Sequence, residues 1–279
     1  MTEDHSLGHD GLTLAWSEQG QGAPVVLLHP GLASRKSWLA VVQDLSSDFR
    51  CITPDLPGHG RSAYDPARDA QWQTMNGVEA LIRQIGPPVH LVGHSFGGTA
   101  ALHLAARQPQ LVTSLVLIEP VYFNLLHDAR DPAYQAHLNR MAEAGLAMGQ
   151  GRWEDALDAF LAVWGTEGEA EGLPDKLRHK LVREMRLIQA SEPAILHHDT
   201  PDRLHLGDLD GLSIPTLLIE GDASPPVIPA IQSLLERTLT NAERHIIAGA
   251  GHMAPVTHAD KVAPLVRAFY GRLPRLQAL

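Results

Sequence analysis

The chain is poor in cysteine, in basic charge and in long apolar runs. Among its 279 residues there is one cysteine, Cys51, so no intramolecular disulfide can form and a reducing compartment is expected. Lys and Arg number 22 against 32 Asp and Glu, a formal charge of −10. That balance argues against nucleic acid or an anionic membrane as a partner, because both are met by basic patches. No apolar run approaches the roughly 20 residues that cross a bilayer. The opening MTEDHSLGHD has neither the basic nor the apolar region of a secretory signal, so the cytoplasm is the expected location. What remains is ordinary for a globular protein, with 44% hydrophobic and 19% charged residues. The length suits one large α/β domain with room for an inserted subdomain, as a monomer or homodimer.

The segment Gly11 to Ser17 alternates and runs into the turn-rich Glu18-Gln19-Gly20-Gln21-Gly22, which predicts an N-terminal β-hairpin. Short apolar runs of the buried-strand type follow at Val25–Leu28, Cys51–Pro54, Val89–Val92, Leu115–Ile118, Thr216–Ile219 and Arg244–Ile247. Helical patterns lie between them at Trp38–Leu45, Met75–Ile85, Gly97–Arg107, Val227–Leu239 and Ala259–Phe269. Alternating strands and helices imply a doubly wound, mainly parallel sheet with helices on both faces. The alternation stops after Glu119. Helical stretches at Pro132–Met148, Arg152–Val163 and Pro174–Gln189 take its place. The expected organisation is therefore an α/β core over 1–121 and 206–279, with a helical cap inserted at 122–205.

The strongest chemical signal is Gly93-His94-Ser95-Phe96-Gly97-Gly98, a G-x-S-x-G sequence directly after one strand and before one helix. In that context the serine sits on a tight, strained turn at a helix N-terminus, where amide donors favour developing negative charge. Ser95 is thus the candidate nucleophile. An accidental glycine-rich turn is the bland alternative, and the flanking strand and helix weigh against it. His94 is a neighbour in sequence, but adjacent residues diverge on a sharp turn, so it reads as structural.

A hydroxyl needs a base within hydrogen-bond reach. Of the 16 histidines, His252 stands out, in a loop of small residues, Ala248-Gly249-Ala250-Gly251, after the last strand. The loop Leu28-His29-Pro30-Gly31-Leu32 ends an early strand and is placed to supply an oxyanion donor. The amides of Phe96 and Gly31 are the candidate donors, with Leu32 in reserve, since Pro30 has no N–H. His29 reads as a brace for the loop.

With these residues the chain resembles the α/β-hydrolase superfamily, in particular its capped, esterase-like and dehalogenase-like members. The likeness rests on Leu28-His29-Pro30-Gly31 with Trp38, on Asp55-Leu56-Pro57-Gly58-His59-Gly60-Arg61-Ser62, on the Ser95 turn and on Gly251-His252. It implies an eight-stranded sheet, a helical cap over the site and a Ser-His-acid triad. Two departures stand out. The usual His-Gly pair before the oxyanion residue is His29-Pro30 here. The family's commoner acid position, three after Gly221, is Ser224. Two carboxylates can replace it: Glu119, at the end of an earlier strand as in dehalogenase-like members, and Asp222, on the same loop as Ser224. Glu119 is the preferred acid and Asp222 the alternative.

Other motifs weigh less. The Asp55–Ser62 loop lacks the P-loop pattern. His197-His198-Asp199 and His205 match no standard metal set, and no metal or cofactor is expected. Trp153, Phe160, Leu161 and Trp164 fall at helical spacing and read as cap packing. Some of them, with Tyr122, Phe123, Leu126 and Met148, are candidates to line an apolar acyl pocket. Cys51 reads as core. The expected function is hydrolysis of a small or medium carboxylic ester through an acyl-enzyme, with a small acyl compound as the only partner. The alternatives are thioester, lactone, amide or carbon–carbon hydrolysis on the same fold, or a non-catalytic ligand-binding protein that retains the serine turn.

Overall fold

The computed structural model describes residues 3–165, 169–197 and 203–273. Eight strands form one sheet: β1 (Glu3–His9), β2 (Leu12–Gln19), β3 (Ala23–Leu28), β4 (Phe49–Pro54), β5 (Val89–His94), β6 (Val112–Ile118), β7 (Thr216–Gly221) and β8 (Ala242–Ile247). Their spatial order is β1-β2-β4-β3-β5-β6-β7-β8. β1 and β2 form the antiparallel hairpin, and β2 joins β4 antiparallel. Every later pairing is parallel.

The apolar runs read as near-continuous because both faces of the parallel strands are covered. In β3, Val25 and Leu27 enter one core, while Val26 and Leu28 enter the other. In β6, Val116 and Ile118 share the first face, and Leu115 and Leu117 the second. The first face packs against α1 (Leu39–Leu45), α10 (Ala254–Thr257) and α11 (Ala259–Arg272). The second packs against α2 (Ala70–Ile85), α3 (Phe96–Arg107) and α9 (Val227–Thr238).

Between β6 and β7 the chain runs through α4 (Phe123–Asp128), α5 (Pro132–Gly149), α6 (Trp153–Trp164), α7 (Glu169–Gly172) and α8 (Asp175–Ile195). These helices have a small core of their own, made by Ala147, Met148, Ala156, Leu157, Leu161, Leu181 and Met185. α4 behaves differently: Phe123, Leu125 and Leu126 join the large cluster that also covers the sheet. Asp131 caps α5 by accepting a hydrogen bond from the Ala133 amide at 2.9 Å, and Pro132 occupies the first turn, where a missing N–H costs nothing.

Parallel strands that start on one side end on the other. The register pairs His94 with Ile118 and Ile118 with Ile219, so β5 and β6 finish level and β7 runs two residues further, to Gly221. The segments after these three strands, together with the one after β3, therefore meet at one edge of the sheet.

Candidate active site

Ser95 stands between β5 and α3, with φ 54° and ψ −119°. Its side chain is left to project from the turn, because neither neighbouring glycine can carry one. A Cβ on Gly93 would lie 2.3 Å from the Gly97 carbonyl oxygen, and one on Gly97 would lie 2.3 Å from the Leu28 oxygen. The strained φ is held from both sides: the Ser95 amide donates to the Ile118 carbonyl at 2.9 Å, and its own carbonyl accepts from the Thr99 amide at 3.0 Å.

His252 lies on the loop after β8. Its Nε2 meets the Ser95 Oγ at 3.0 Å, and its Nδ1 meets the Glu119 Oε2 at 2.6 Å. Both contacts are satisfied when Nδ1–H donates to the carboxylate and the Ser95 hydroxyl donates to Nε2. All three side chains are withdrawn from bulk water, with exposures of 8% for Ser95, 8% for His252 and 0% for Glu119. The loop is anchored from behind by His94, whose Nε2–H donates to the His252 carbonyl at 2.7 Å. Burial, with the His252 ring beside it, pushes the His94 imidazole down to about 3, so it stays neutral.

Glu119 follows β6 directly and holds a φ of 46°. Burial by itself would raise its carboxyl, but the hydrogen bond and charge from His252 and the donors Ser224 and Gly221 outweigh it. Its pKa ends below the ordinary carboxylate value. The Ser224 hydroxyl donates to Oε1 at 2.5 Å and the Gly221 amide donates to the same oxygen at 2.7 Å. Asp222, the alternative acid, is turned elsewhere: its Oδ1 accepts from the Gly249 amide at 2.7 Å. Asp222 is exposed and Glu119 is not, because Asp222 points out of the loop that Ser224 turns inward.

The candidate oxyanion loop follows β3. His29 braces it, with Nδ1–H donating to the Pro30 carbonyl at 2.7 Å and Nε2 accepting from the Leu56 amide at 2.8 Å. Burial, with His59 alongside, holds this ring well below its ordinary pKa. Asp55 tightens the neighbouring loop by accepting from the Arg35 and Arg61 amides, each at 3.0 Å. Gly31 is pressed by the cap: a Cβ there would lie 2.8 Å from Ile188 Cδ1 on α8. Gly31 and Phe96 line one small cavity together with Leu187, Ile188 and Ser191.

Other candidates fall into place around this centre. Trp164 closes over it, its ring centred 4.6 Å from that of His252. Phe160 and Phe123 pack beside Trp164, with ring centres 6.4 and 6.1 Å away. Tyr122, by contrast, is fully buried and hydrogen-bonds away from the serine, accepting from the Leu204 amide at 3.1 Å. Leu126 lies in the large core, and Leu161 and Met148 lie in the cap core. Trp153 stacks under Arg186 at 4.8 Å. Cys51 is buried and its thiol is pushed up to about 12 by burial, so it is inert. His205 lies 3.7 Å from the Asp128 carboxylate, while His198 and Asp199 fall outside the described residues. Among the described residues no three His, Cys, Asp or Glu side chains are grouped to hold a metal ion.

Three contributions had no clear signature in the sequence. They are the Ser224 hydroxyl on Glu119, the His94 bond to the His252 carbonyl, and the seating of Ile188 on Gly31. Two of them left a trace: Ser224, as the residue standing where the commoner acid belongs, and His94, read as structural though without its partner.

The sequence model of the alpha/beta hydrolase fold matches residues 23–259. The chain belongs to the α/β-hydrolase family. This α/β-hydrolase is 29% identical over 255 residues to the pimeloyl-[acyl-carrier protein] methyl ester esterase of Methylococcus capsulatus, covering 90% of the chain and 95% of that protein. It is 25% identical over 264 residues to the (E)-2-((N-methylformamido)methylene)succinate hydrolase of Acinetobacter baylyi, covering 94% and 95%. Among solved structures it resembles an alpha/beta hydrolase from Sphaerobacter thermophilus, with a TM-score of 0.68, 25% identity and coverage of 95% and 100%. A meta-cleavage product hydrolase, CumD, has the same fold at a TM-score of 0.72 and 20% identity, with coverage of 96% and 98%. Among the described residues no helix is long and apolar enough to cross a membrane.

Proposed function

We propose that this α/β-hydrolase cleaves a small or medium carboxylic ester through an acyl-enzyme on Ser95. The observation that carries the reading is the unbroken chain of contacts from Ser95 Oγ to His252 at 3.0 Å and from His252 to Glu119 at 2.6 Å. A serine hydroxyl is a weak nucleophile until a base takes its proton, and His252 Nε2 is within reach to do so. Ser95 Oγ attacks the acyl carbon as its proton passes to Nε2. Glu119 holds the ring in the tautomer that leaves Nε2 free and stabilises the imidazolium that forms. The carbonyl oxygen becomes an oxyanion facing the amides of Phe96 and Gly31. The imidazolium then gives its proton to the leaving alkoxide, and the alcohol departs. Water enters, His252 takes its proton, and the acyl-enzyme is hydrolysed to the acid and free Ser95.

The esterase name carried by the Methylococcus capsulatus relative supports an ester over the other acyl compounds. A ligand-binding protein that merely retains the serine turn would be expected to have lost the triad geometry. The short contacts, the depressed Glu119 carboxyl and the strained Ser95 turn all favour chemistry instead.

Labelling with a small fluorophosphonate, followed by peptide mapping, tests the reading. Modification confined to Ser95 and lost in His252→Ala is expected, together with turnover of short-chain esters. A folded protein that takes no label would overturn the mechanism.

A further inference from the structure

The small cavity beside Gly31 and Phe96 has a histidine on its wall that the proposed chemistry does not use. His59 belongs to the turn Gly58-His59-Gly60 after β4 and is only 4% exposed. Its ring is centred 5.0 Å from that of His29, the brace of the candidate oxyanion loop. Nδ1–H donates to the Pro57 carbonyl at 3.1 Å, within the same turn. That bond fixes the tautomer, so Nε2 carries a lone pair and no proton. Burial holds the ring below its ordinary pKa, against the pull of Glu184, and the ring stays neutral.

Nε2 is buried and has no hydrogen-bond partner among the described residues. An acceptor removed from water without a donor is costly to the fold. The other polar side chains on the cavity wall do not supply one. The Ser191 hydroxyl donates to the Ile188 carbonyl at 2.8 Å, and the Thr74 hydroxyl donates to the Ala70 carbonyl at 2.9 Å. With their hydrogens used on the helix backbone, both oxygens offer only lone pairs. The Tyr64 hydroxyl borders the cavity as well and makes no bond to Nε2. The wall is therefore rich in acceptors and short of a donor.

Size and position narrow the missing group. The cavity measures about 20 Å³, against roughly 10–15 Å³ for a single water molecule, so it admits one small group. In the proposed mechanism the ester carbonyl oxygen faces the amides of Gly31 and Phe96, and both residues border this cavity. The first carbons of the acyl chain then lie at its mouth. A hydroxyl on one of them is small enough to enter and has the hydrogen that Nε2 lacks.

We propose that His59 is a specificity-determining residue of the cleft, whose Nε2 accepts a hydrogen bond from a hydroxyl on the second or third carbon of a short acyl chain, so that esters of small hydroxy acids are favoured. The proposal rests on the reading of this cleft as an ester-cleaving site.

Two pairs of methyl esters test it, each with a methyl group in place of the hydroxyl: methyl 2-hydroxypropanoate against methyl 2-methylpropanoate, and methyl 3-hydroxybutanoate against methyl 3-methylbutanoate. kcat/KM is measured for the natural protein, His59→Asn and His59→Gln, with the enantiomers of each hydroxy ester taken separately. Asparagine keeps a donor where Nδ1 stands and lacks the acceptor, whereas glutamine can set its amide oxygen where Nε2 stands. The natural protein should favour the hydroxy ester in at least one pair by about tenfold, the scale of one buried hydrogen bond. His59→Asn should abolish the preference and His59→Gln should restore part of it. No preference in the natural protein, or variants that slow both members of a pair equally, would reduce His59 to a packing residue and overturn the proposal.

A second measurement needs neither turnover nor a change at position 59. In Ser95→Ala, the nitrogen-15 shift of His59 Nε2 is followed as the same esters are added. The hydroxy ester should move it upfield, as a lone pair does on accepting a hydrogen bond, and its methyl partner should leave it in place. A shift that responds to neither ester would mean that a resident water or the protein itself fills the acceptor, and the proposal fails. If none of the esters is turned over, the ester-cleaving reading fails, and the Nε2 shift still decides the role of His59.

Discussion

The sheet edge and the cap each withdraw a carboxyl group from water, and they treat it in opposite ways. Glu119, at the end of β6, is surrounded by donors: His252 on one oxygen, Ser224 and Gly221 on the other. Its pKa falls in spite of complete burial. Glu192, on α8, is less deeply buried and accepts no hydrogen bond from any described residue, and burial raises its carboxyl to about 7. Burial alone therefore does not decide the charge of a carboxyl group; the hydrogen bonds it accepts do. The core holds its carboxylate ionised as part of a finished device.

The sharpest way to break the comparison is at Glu119. Glu119→Gln keeps the shape but permits the wrong His252 tautomer, so kcat should fall by about 10³- to 10⁴-fold in ester turnover. If activity survives, the core carboxyl is structural and the contrast with Glu192 loses its meaning.

A smaller effect lies in how stability depends on pH. The folded pKa of Glu119 is depressed, so its contribution is present above the ordinary value of 4.5 and is lost as pH falls through the folded value. Glu192 runs the other way. Its folded pKa is raised, so stability declines as pH climbs from the ordinary 4.5 towards about 7, and the penalty is complete above that. In denaturant unfolding near pH 8, Glu192→Gln should be more stable than the natural protein by roughly 1 kcal/mol or more, with the difference shrinking near pH 4. A flat difference across that window would show that Glu192 has a partner after all.

The smallest expected effect is at Asp222, the carboxylate that neighbours Ser224 but faces outward. Asp222→Ala removes the acceptor for the Gly249 amide and should cost about 1 kcal/mol of stability, with ester turnover altered by no more than about threefold. A collapse of turnover would transfer the acid role from β6 to the β7 loop.

The strand–turn–helix around Ser95 was legible from Gly93 and Gly97, because only glycine fits where a Cβ would strike the backbone at 2.3 Å. The buried strands were legible as well. A strand covered on both faces must be apolar throughout, as in Val25 to Leu28. The ends of the helices were less so: α2 begins at Ala70, ahead of the expected Met75, because its first turn uses Gln71, Gln73 and Thr74, polar residues whose burial only tertiary contacts explain.

Local sequence determined what local sterics and periodicity can encode: the alternation of strands and helices, the strained serine turn, the strand-end loop that carries Gly31 and the loop of small residues that carries His252. The choice between Glu119 and Asp222 as the contact of His252 lay beyond it. That choice depends on which way two side chains point after folding, and residues 133 apart in the chain meet at 2.6 Å only once β6 and β8 are in place. The same holds for Glu192. A glutamate in a helix of mixed charge looks like any solvated residue until the folded cap partly shields it with no donor among the described residues.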